Sequence, residues 1–279
     1  MILVTGATGN VGSEVVRRLA VDGAPVRALA RHPDAVAVPD GAVEVVAGDL
    51  SRPETLDDAL AGVEALFLLG GFATMADVLD RAAKAAVRRV VLLTSRCVIG
   101  GRPDNAITGM WMESEAVLER SGLPGTVLRP AGFQSNALRW SDQLGAGDVV
   151  RAPWGDVPIA AIDPADIAAV AAVALRSGDY EGQALTLSGP EALSARQQLA
   201  VVAEVLGRPL RFESQPDDEA RKAMADAMPE SFVDAQFRFF SDGEYDDSGV
   251  VDTVERVTGR PAGTLRAWVD AHRAALPGG

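Results

Sequence analysis

Gly6, Gly9 and Gly12 stand at three-residue intervals behind the apolar run Ile2 to Val4. Glycines at this spacing between a strand and a helix suit a pyrophosphate. One allows a tight turn, one lets the backbone approach the anion, and one lets the helix pack hard on the strand. The helix opening near Val11 then turns its first N–H groups toward the ligand. Thr5 and Thr8 add hydroxyl donors, and Asn10 lies in the same turn. Glycine-rich turns also occur at plain strand–helix joints. Here the turn follows the first strand of the chain, so we expect a dinucleotide site that includes Gly6, Thr8, Gly9, Asn10 and Val11.

The second strand, VRALARHPD, bears on which nicotinamide cofactor binds. An NAD site usually ends this strand in a carboxylate for the ribose hydroxyls. This strand ends in Ala30 followed by Arg31. A guanidinium forks onto a phosphate, so Arg31 favours NADP(H), with NAD(H) the alternative. His32 is read equally well as an adenine contact or a surface residue. Asp49 in AGDL can accept from the adenine amino group while Leu50 packs on the ring. Gly70 and Gly71 in LLGGF let the chain run beside the ribose.

These residues need a scaffold that brings strand ends to one edge. Apolar runs predict strands near 2–5, 26–30, 43–47, 65–69, 90–94 and 126–128. Helical spacing fills the segments between them. Strand and helix in alternation mean a doubly wound parallel sheet of Rossmann type, with right-handed crossovers. After about Gly132 the rhythm changes. DPADIAAVAAVALRSG reads as a helix with Asp163 or Asp166 near its start. Ser194 is the expected N-cap of a further helix. RPLRFES reads as a strand, and 216–276 as mostly helical. We expect an NAD(P)-binding core over 1–150 and a smaller α+β substrate lobe over 151–279, partly interleaved in one packed unit.

Composition narrows the field. The chain has 279 residues, of which 48% are hydrophobic, so a sizeable core is expected. Its 26 basic and 39 acidic residues leave a net charge of −13, which argues against nucleic acid and anionic membranes. Cys97 is the single cysteine, which excludes an intrachain disulfide framework. His32 and His272 show no metal-ligand spacing, so no metal site is expected. No signal-peptide pattern or membrane-length apolar run is visible, and a cytoplasmic protein is expected. A homodimer is common for such folds, but no interface helix is readable.

TGATGNVG, GDL and SGLPGTVLRPAGFQSNAL together resemble the atypical short-chain dehydrogenase/reductases. The resemblance is strongest to the NmrA-like and NAD(P)H:quinone oxidoreductase-like branch. SGPEALSARQQLAVVAEVLGRPL and VERVTGRPAGTLRAWVDAH resemble the C-terminal lobe of that branch. The resemblance implies that Pro130, Gly132 and Phe133 pass the nicotinamide face. It also maps the larger family's strand-end serine onto Thr94, Ser95 or Arg96. Of these, Thr94 and Ser95 are expected to contact the cofactor. Glu115 matches an acidic residue common in the branch.

The larger family moves protons with a Tyr-x-x-x-Lys pair on the helix after the fifth strand. The resemblance maps that pair onto Ile107 and Trp111, neither of which transfers a proton. Tyr180 and Tyr245 lie elsewhere. Without a general acid, reduction suits an acceptor whose product anion is delocalised or whose product is neutral. We therefore expect an NADPH-dependent reductase of a quinone, an aromatic polyketide-like compound or an iminium. The catalytic residues stay unassigned. Trp111, Gln134, Asn136 and Trp140 are candidate substrate contacts, with Phe232 and Phe237 from the aromatic run FVDAQFRFF. Two alternatives stay open: an NADP(H)-sensing regulator with a protein partner, and an enzyme that oxygenates a reduced aromatic ring.

Overall fold

The structure, a computed structural model, describes residues 1–36 and 43–278. Six strands alternate with helices along the first half: β1 (Ile2–Val4), β2 (Val26–Ala30), β3 (Val43–Ala47), β4 (Ala65–Leu69), β5 (Arg89–Leu93) and β6 (Gly125–Pro130). The helices of this half are α1 (Gly12–Val21), the short α2 (Asp57–Leu60), α3 (Met75–Lys84), α4 (Ala106–Ser121) and α5 (Ser141–Ala146). The second half adds β7 (Val149–Ala152), β8 (Pro158–Ile159), α6 (Pro164–Arg176), β9 (Ala184–Leu187), β10 (Leu193–Ser194), α7 (Ala195–Leu206) and β11 (Arg211–Ser214). It closes with α8 (Asp217–Ala225), α9 (Glu230–Phe240), α10 (Thr253–Thr258) and α11 (Leu265–Ala271).

The main sheet has the order β3-β2-β1-β4-β5-β6-β9, and its pairings are parallel. Strand order reverses between β1 and β4. In open sheets of this kind, ligands bind at that reversal, outside the carboxyl ends of the strands. Strands in such a sheet are buried on both faces and read as continuous apolar runs, as ALFLL of β4 does. One face packs α1 and α6 through Val15, Leu19, Ile167 and Val170. The other packs α3 and α4 through Val78, Leu79 and Leu118. The fold is thus the doubly wound Rossmann-type sheet expected from the alternation.

α6 and β9 lie beyond residue 150 yet return to the main sheet, where β9 forms the edge beside β6. Most of the chain between and after them builds a smaller lobe, while α10 packs back on α6 and β9 through Val254. The lobe holds an antiparallel β10–β8 pair and a parallel β11–β7 pair. Trp140, Leu144, Val150, Leu199, Val202 and Trp268 form a separate core under that lobe. Ser194 caps α7 in a capping box with Gln197, and Asp163 caps α6 by accepting from the Ala165 N–H. Among the described residues, no helix is long and apolar enough to cross a membrane.

α4 begins at Ala106, five residues before the helical pattern of the sequence is readable. Its start is fixed by Asn105, whose side-chain oxygen accepts from Ile107 N–H at 3.0 Å and Thr108 N–H at 3.3 Å. The surrounding GRPDNAITG has the composition of a loop, which hides the cap.

Candidate functional site

Two glycines of the turn, Gly6 and Gly12, have no room for a Cβ. Gly6 adopts φ +63°, and a Cβ there would lie 2.4 Å from Leu69 Cδ1. A Cβ on Gly12 would lie 2.1 Å from the Gly6 carbonyl oxygen, a backbone atom that cannot step aside. The Gly9 N–H donates to that same carbonyl at 2.8 Å. The turn therefore brings bare backbone to the mouth of β1, and Thr8, Gly9 and Asn10 are exposed there. Such a cradle fits a pyrophosphate on the first amides of α1. Thr5 is used otherwise: it is buried, and its hydroxyl accepts from Leu69 N–H, tying β1 to β4. The Asn10 side chain donates to Ser135 Oγ at 3.2 Å, linking the turn to the segment after β6.

The other predicted residues fall along the same edge. Arg31 is exposed at the end of β2. Asp49 follows β3, and its carboxylate accepts from the N–H and hydroxyl of Ser51 at 2.9 and 2.7 Å. Those two donors hold the Asp49 carboxyl below the usual range. Leu50 is half-buried beside it. Gly71 has φ +86°, and a Cβ there would meet Met110 Sδ at 3.2 Å and Trp111 at 3.5 Å. Gly71 N–H donates to Ser114 Oγ at 2.9 Å. Trp111 thus lies against the end of β4.

Thr94, after β5, donates to Glu115 at 2.9 Å, and Glu115 also accepts from Arg129 Nε at 2.9 Å. The hydrogen bond and charge of Glu115 raise the Arg129 guanidinium above its usual value. Glu115 therefore braces α4 against β5 and β6. Ser95 accepts from the Cys97 N–H at 3.3 Å.

Pro130 ends β6, and beyond it the chain enters a 3-10 helix, Gln134–Trp140. This helix borders a cavity of about 400 Å³ between the two halves of the chain. Gly132, Phe133, Asn136 and Trp140, all singled out from the sequence, line it. Trp154, from the lobe, and Phe240, at the end of α9, add aromatic walls. Trp111, Gln134, Phe232 and Phe237 stand outside its wall. The Gln134 amide is turned away to the carbonyls of Ala161 and Gly263 at 3.2 and 2.9 Å. Phe237 packs behind the wall in a small core, edge-on to Trp154 at 5.1 Å.

Sequence reading missed the polar end of this cavity. Asp247, in the loop after α9, lines it and is 9% exposed. One carboxylate oxygen accepts from Tyr245 OH at 2.7 Å, the other from Gly132 N–H at 2.9 Å. The Arg96 guanidinium lies 3.9 Å away. Burial pushes the Asp247 carboxyl up, and burial with the neighbouring carboxylate pushes the Tyr245 phenol up further. Arg139 and Arg151 lie at the cavity wall as well. Tyr245 and Asp247 sit in irregular chain, where no periodicity marks them.

α4 presents Ile107 and Trp111 where a tyrosine–lysine pair is expected, so the helix supplies no proton donor at those positions. The site as built can hold an extended anionic cofactor along the strand ends and a flat apolar molecule in the cavity beyond Gly132 and Phe133.

The chain matches the NAD(P)H-binding family over residues 6–177. It is 44% identical to a (4-alkanoyl-5-oxo-2,5-dihydrofuran-3-yl)methyl phosphate reductase of Streptomyces griseus, over 99% of each chain. It is 38% identical to an NAD(P)H azoreductase of Xenophilus azovorans, over 99% of each chain. Its fold matches an NADPH-dependent quinone oxidoreductase of Escherichia coli in complex with NADPH, with TM-score 0.80 and 25% identity over 97% of this chain and 99% of that one.

Proposed function

Since the chain belongs to the NAD(P)H-binding family, we propose that it is an NADPH-dependent reductase of small, electron-poor conjugated acceptors. The observation that carries this reading is the pairing of two features. The glycine cradle suits the cofactor's pyrophosphate, and the adjoining aromatic cavity has no tyrosine–lysine pair on α4.

In this reading, Gly6, Thr8, Gly9, Asn10 and Val11 take the pyrophosphate, and Arg31 takes the 2′-phosphate. Asp49 and Leu50 flank the adenine, and Gly70, Gly71, Thr94 and Ser95 border the ribose. Pro130, Gly132 and Phe133 border the nicotinamide. The bound cofactor supplies a hydride. Phe133, Trp140, Trp154 and Phe240 hold the acceptor's flat ring by apolar burial and stacking. The core over 1–150 and the lobe over 151–279 each contribute to these walls. Asp247 clamps the Gly132 amide and so fixes the chain that passes between cofactor and acceptor.

The chemistry follows from the missing acid. Hydride addition to an ordinary ketone leaves a localised alkoxide that needs a proton in the transition state. Addition to the β-carbon of an α-acyl unsaturated lactone leaves an enolate spread over two carbonyls, which water then protonates. Quinones and azo compounds share this property of a delocalised product anion. The relatives named as reductases of a dihydrofuranone phosphate and of azo compounds fit the same class.

The test is NADPH oxidation by the purified protein with four compounds: an α-acyl butenolide, a naphthoquinone, an azo dye and cyclohexanone. We expect turnover with one or more of the conjugated acceptors and none with cyclohexanone. Equal rates with cyclohexanone, or no oxidation with any conjugated acceptor, would overturn the reading.

A further inference from the structure

The cavity is not uniformly apolar. Phe133, Asn136 and Arg139 are spaced three apart, the last two within a 3-10 helix, and all three line it. Side chains at i and i+3 of a 3-10 helix eclipse one another. Asn136 and Arg139 therefore form one row that runs away from Phe133, and at a rise of about 2 Å per residue Arg139 stands one full turn beyond Asn136. Arg151 lies on the same wall, from β7.

Charge singles out Arg139 within this row. The other arginine on the cavity wall, Arg151, is engaged with Glu219 at 2.9 Å, whereas Arg139 is exposed at the wall. Arg139 makes no ion pair among the described residues, although the chain has 39 acidic against 26 basic residues. Among the described residues, the one carboxylate on the cavity wall is Asp247, beside Gly132, and both its oxygens already accept hydrogen bonds. The cavity thus has an occupied carboxylate at the end near Gly132 and an uncommitted guanidinium further along.

We propose that Arg139, with Asn136 beside it, forms an anion subsite, and that the natural acceptor carries a phosphate or carboxylate group attached to its conjugated head. This rests on the reductase reading above and adds to it the polarity of the substrate. A guanidinium fork binds either oxyanion through two parallel N–H donors. The conjugated head then lies at Phe133 and the anion at Arg139. That fixes which end of the molecule meets the cofactor. Arg151 is already paired and serves as a secondary cation.

The test uses three 2-methyl-1,4-naphthoquinones that carry a short alkyl chain ending in an alcohol, a carboxylate or a phosphate. The wild-type protein should show a lower KM for one or both anionic forms than for the alcohol, and the preferred anion identifies the group. In Arg139→Ala, that KM should rise about tenfold, the loss of a charge-assisted pair. The KM for the alcohol and for NADPH should stay unchanged. Arg139→Lys should restore part of the preference. Binding of the same three compounds to the protein saturated with NADP⁺, followed by tryptophan fluorescence quenching, reads the subsite without turnover. If no quinone is reduced but the anionic preference in binding disappears in Arg139→Ala, the reductase reading fails and the subsite stands. An anionic preference that is absent in the wild type or survives in Arg139→Ala overturns the subsite. So does a loss of NADPH affinity in place of acceptor affinity.

Discussion

In the proposed reading, Arg31 is the residue on which the choice of nicotinamide cofactor turns. It is exposed at the end of β2, where an NAD site would place a carboxylate. Asp49, further along this edge, is already held by Ser51 in its own turn. Arg31→Ala should therefore raise the KM for NADPH by about tenfold, as expected for a lost guanidinium–phosphate pair, and leave the KM for NADH unchanged. Steady-state kinetics with both cofactors checks this, and an equal effect on both would remove Arg31 from the 2′-phosphate site. Residues of this kind were legible because a strand end has a position that can be counted. Asp247 and Arg139 were not: Asp247 sits in irregular chain, and Arg139 in a 3-10 helix whose period matches neither strand nor α-helix. Asp247 acquires its place by a contact with Gly132, 115 residues away in sequence.

At the scale of elements, capping decides where two helices that border the site begin. Asn105 is fully buried, caps α4 and donates to the Ala235 carbonyl of α9 at 3.1 Å. Asn105→Ala leaves two amides and that carbonyl without their partner, and should cost about 1–3 kcal/mol. A lowered urea midpoint with an unchanged slope is the expected readout. Asp163 caps α6, and burial raises its carboxyl above the ordinary 3.8, as burial also does for Asp247. Both groups hold their protons to higher pH in the folded chain than in the unfolded one. From 3.8 upward to the raised values the folded state binds more protons, so these two groups make stability fall as pH rises through that window. Asp163→Asn keeps the cap and removes one of the two titrations. Its stability should decline less with pH over that range in urea melts, and an unchanged profile would refute the contribution. The sheet elements were readable because buried parallel strands are unbroken apolar runs. The start of α4 was not, because its cap lies in a glycine- and proline-rich stretch. The 3-10 helix after β6 was not either, because its period of three matches neither strand nor α-helix.

At the scale of the whole molecule, the two halves of the chain are laced together. α6 and β9 cross back from the C-terminal half to complete the main sheet. The cavity lies where the lobe meets the end of β6, with walls from both halves. The alternation of strand and helix made the sheet readable from sequence. The lobe's pairing was not, because β8 and β10 are two residues long and carry no periodic signal. In the proposed reading, cofactor and acceptor occupy adjoining spaces on either side of Gly132 and Phe133, and hydride passes directly between them. The most direct test is mass spectrometry of the product formed from an α-acyl butenolide with NADPH deuterated at C4, on the face the protein uses. The account predicts one deuterium at the lactone's β-carbon. Product without deuterium at that carbon, or with hydrogen from solvent there, would contradict direct transfer across this site.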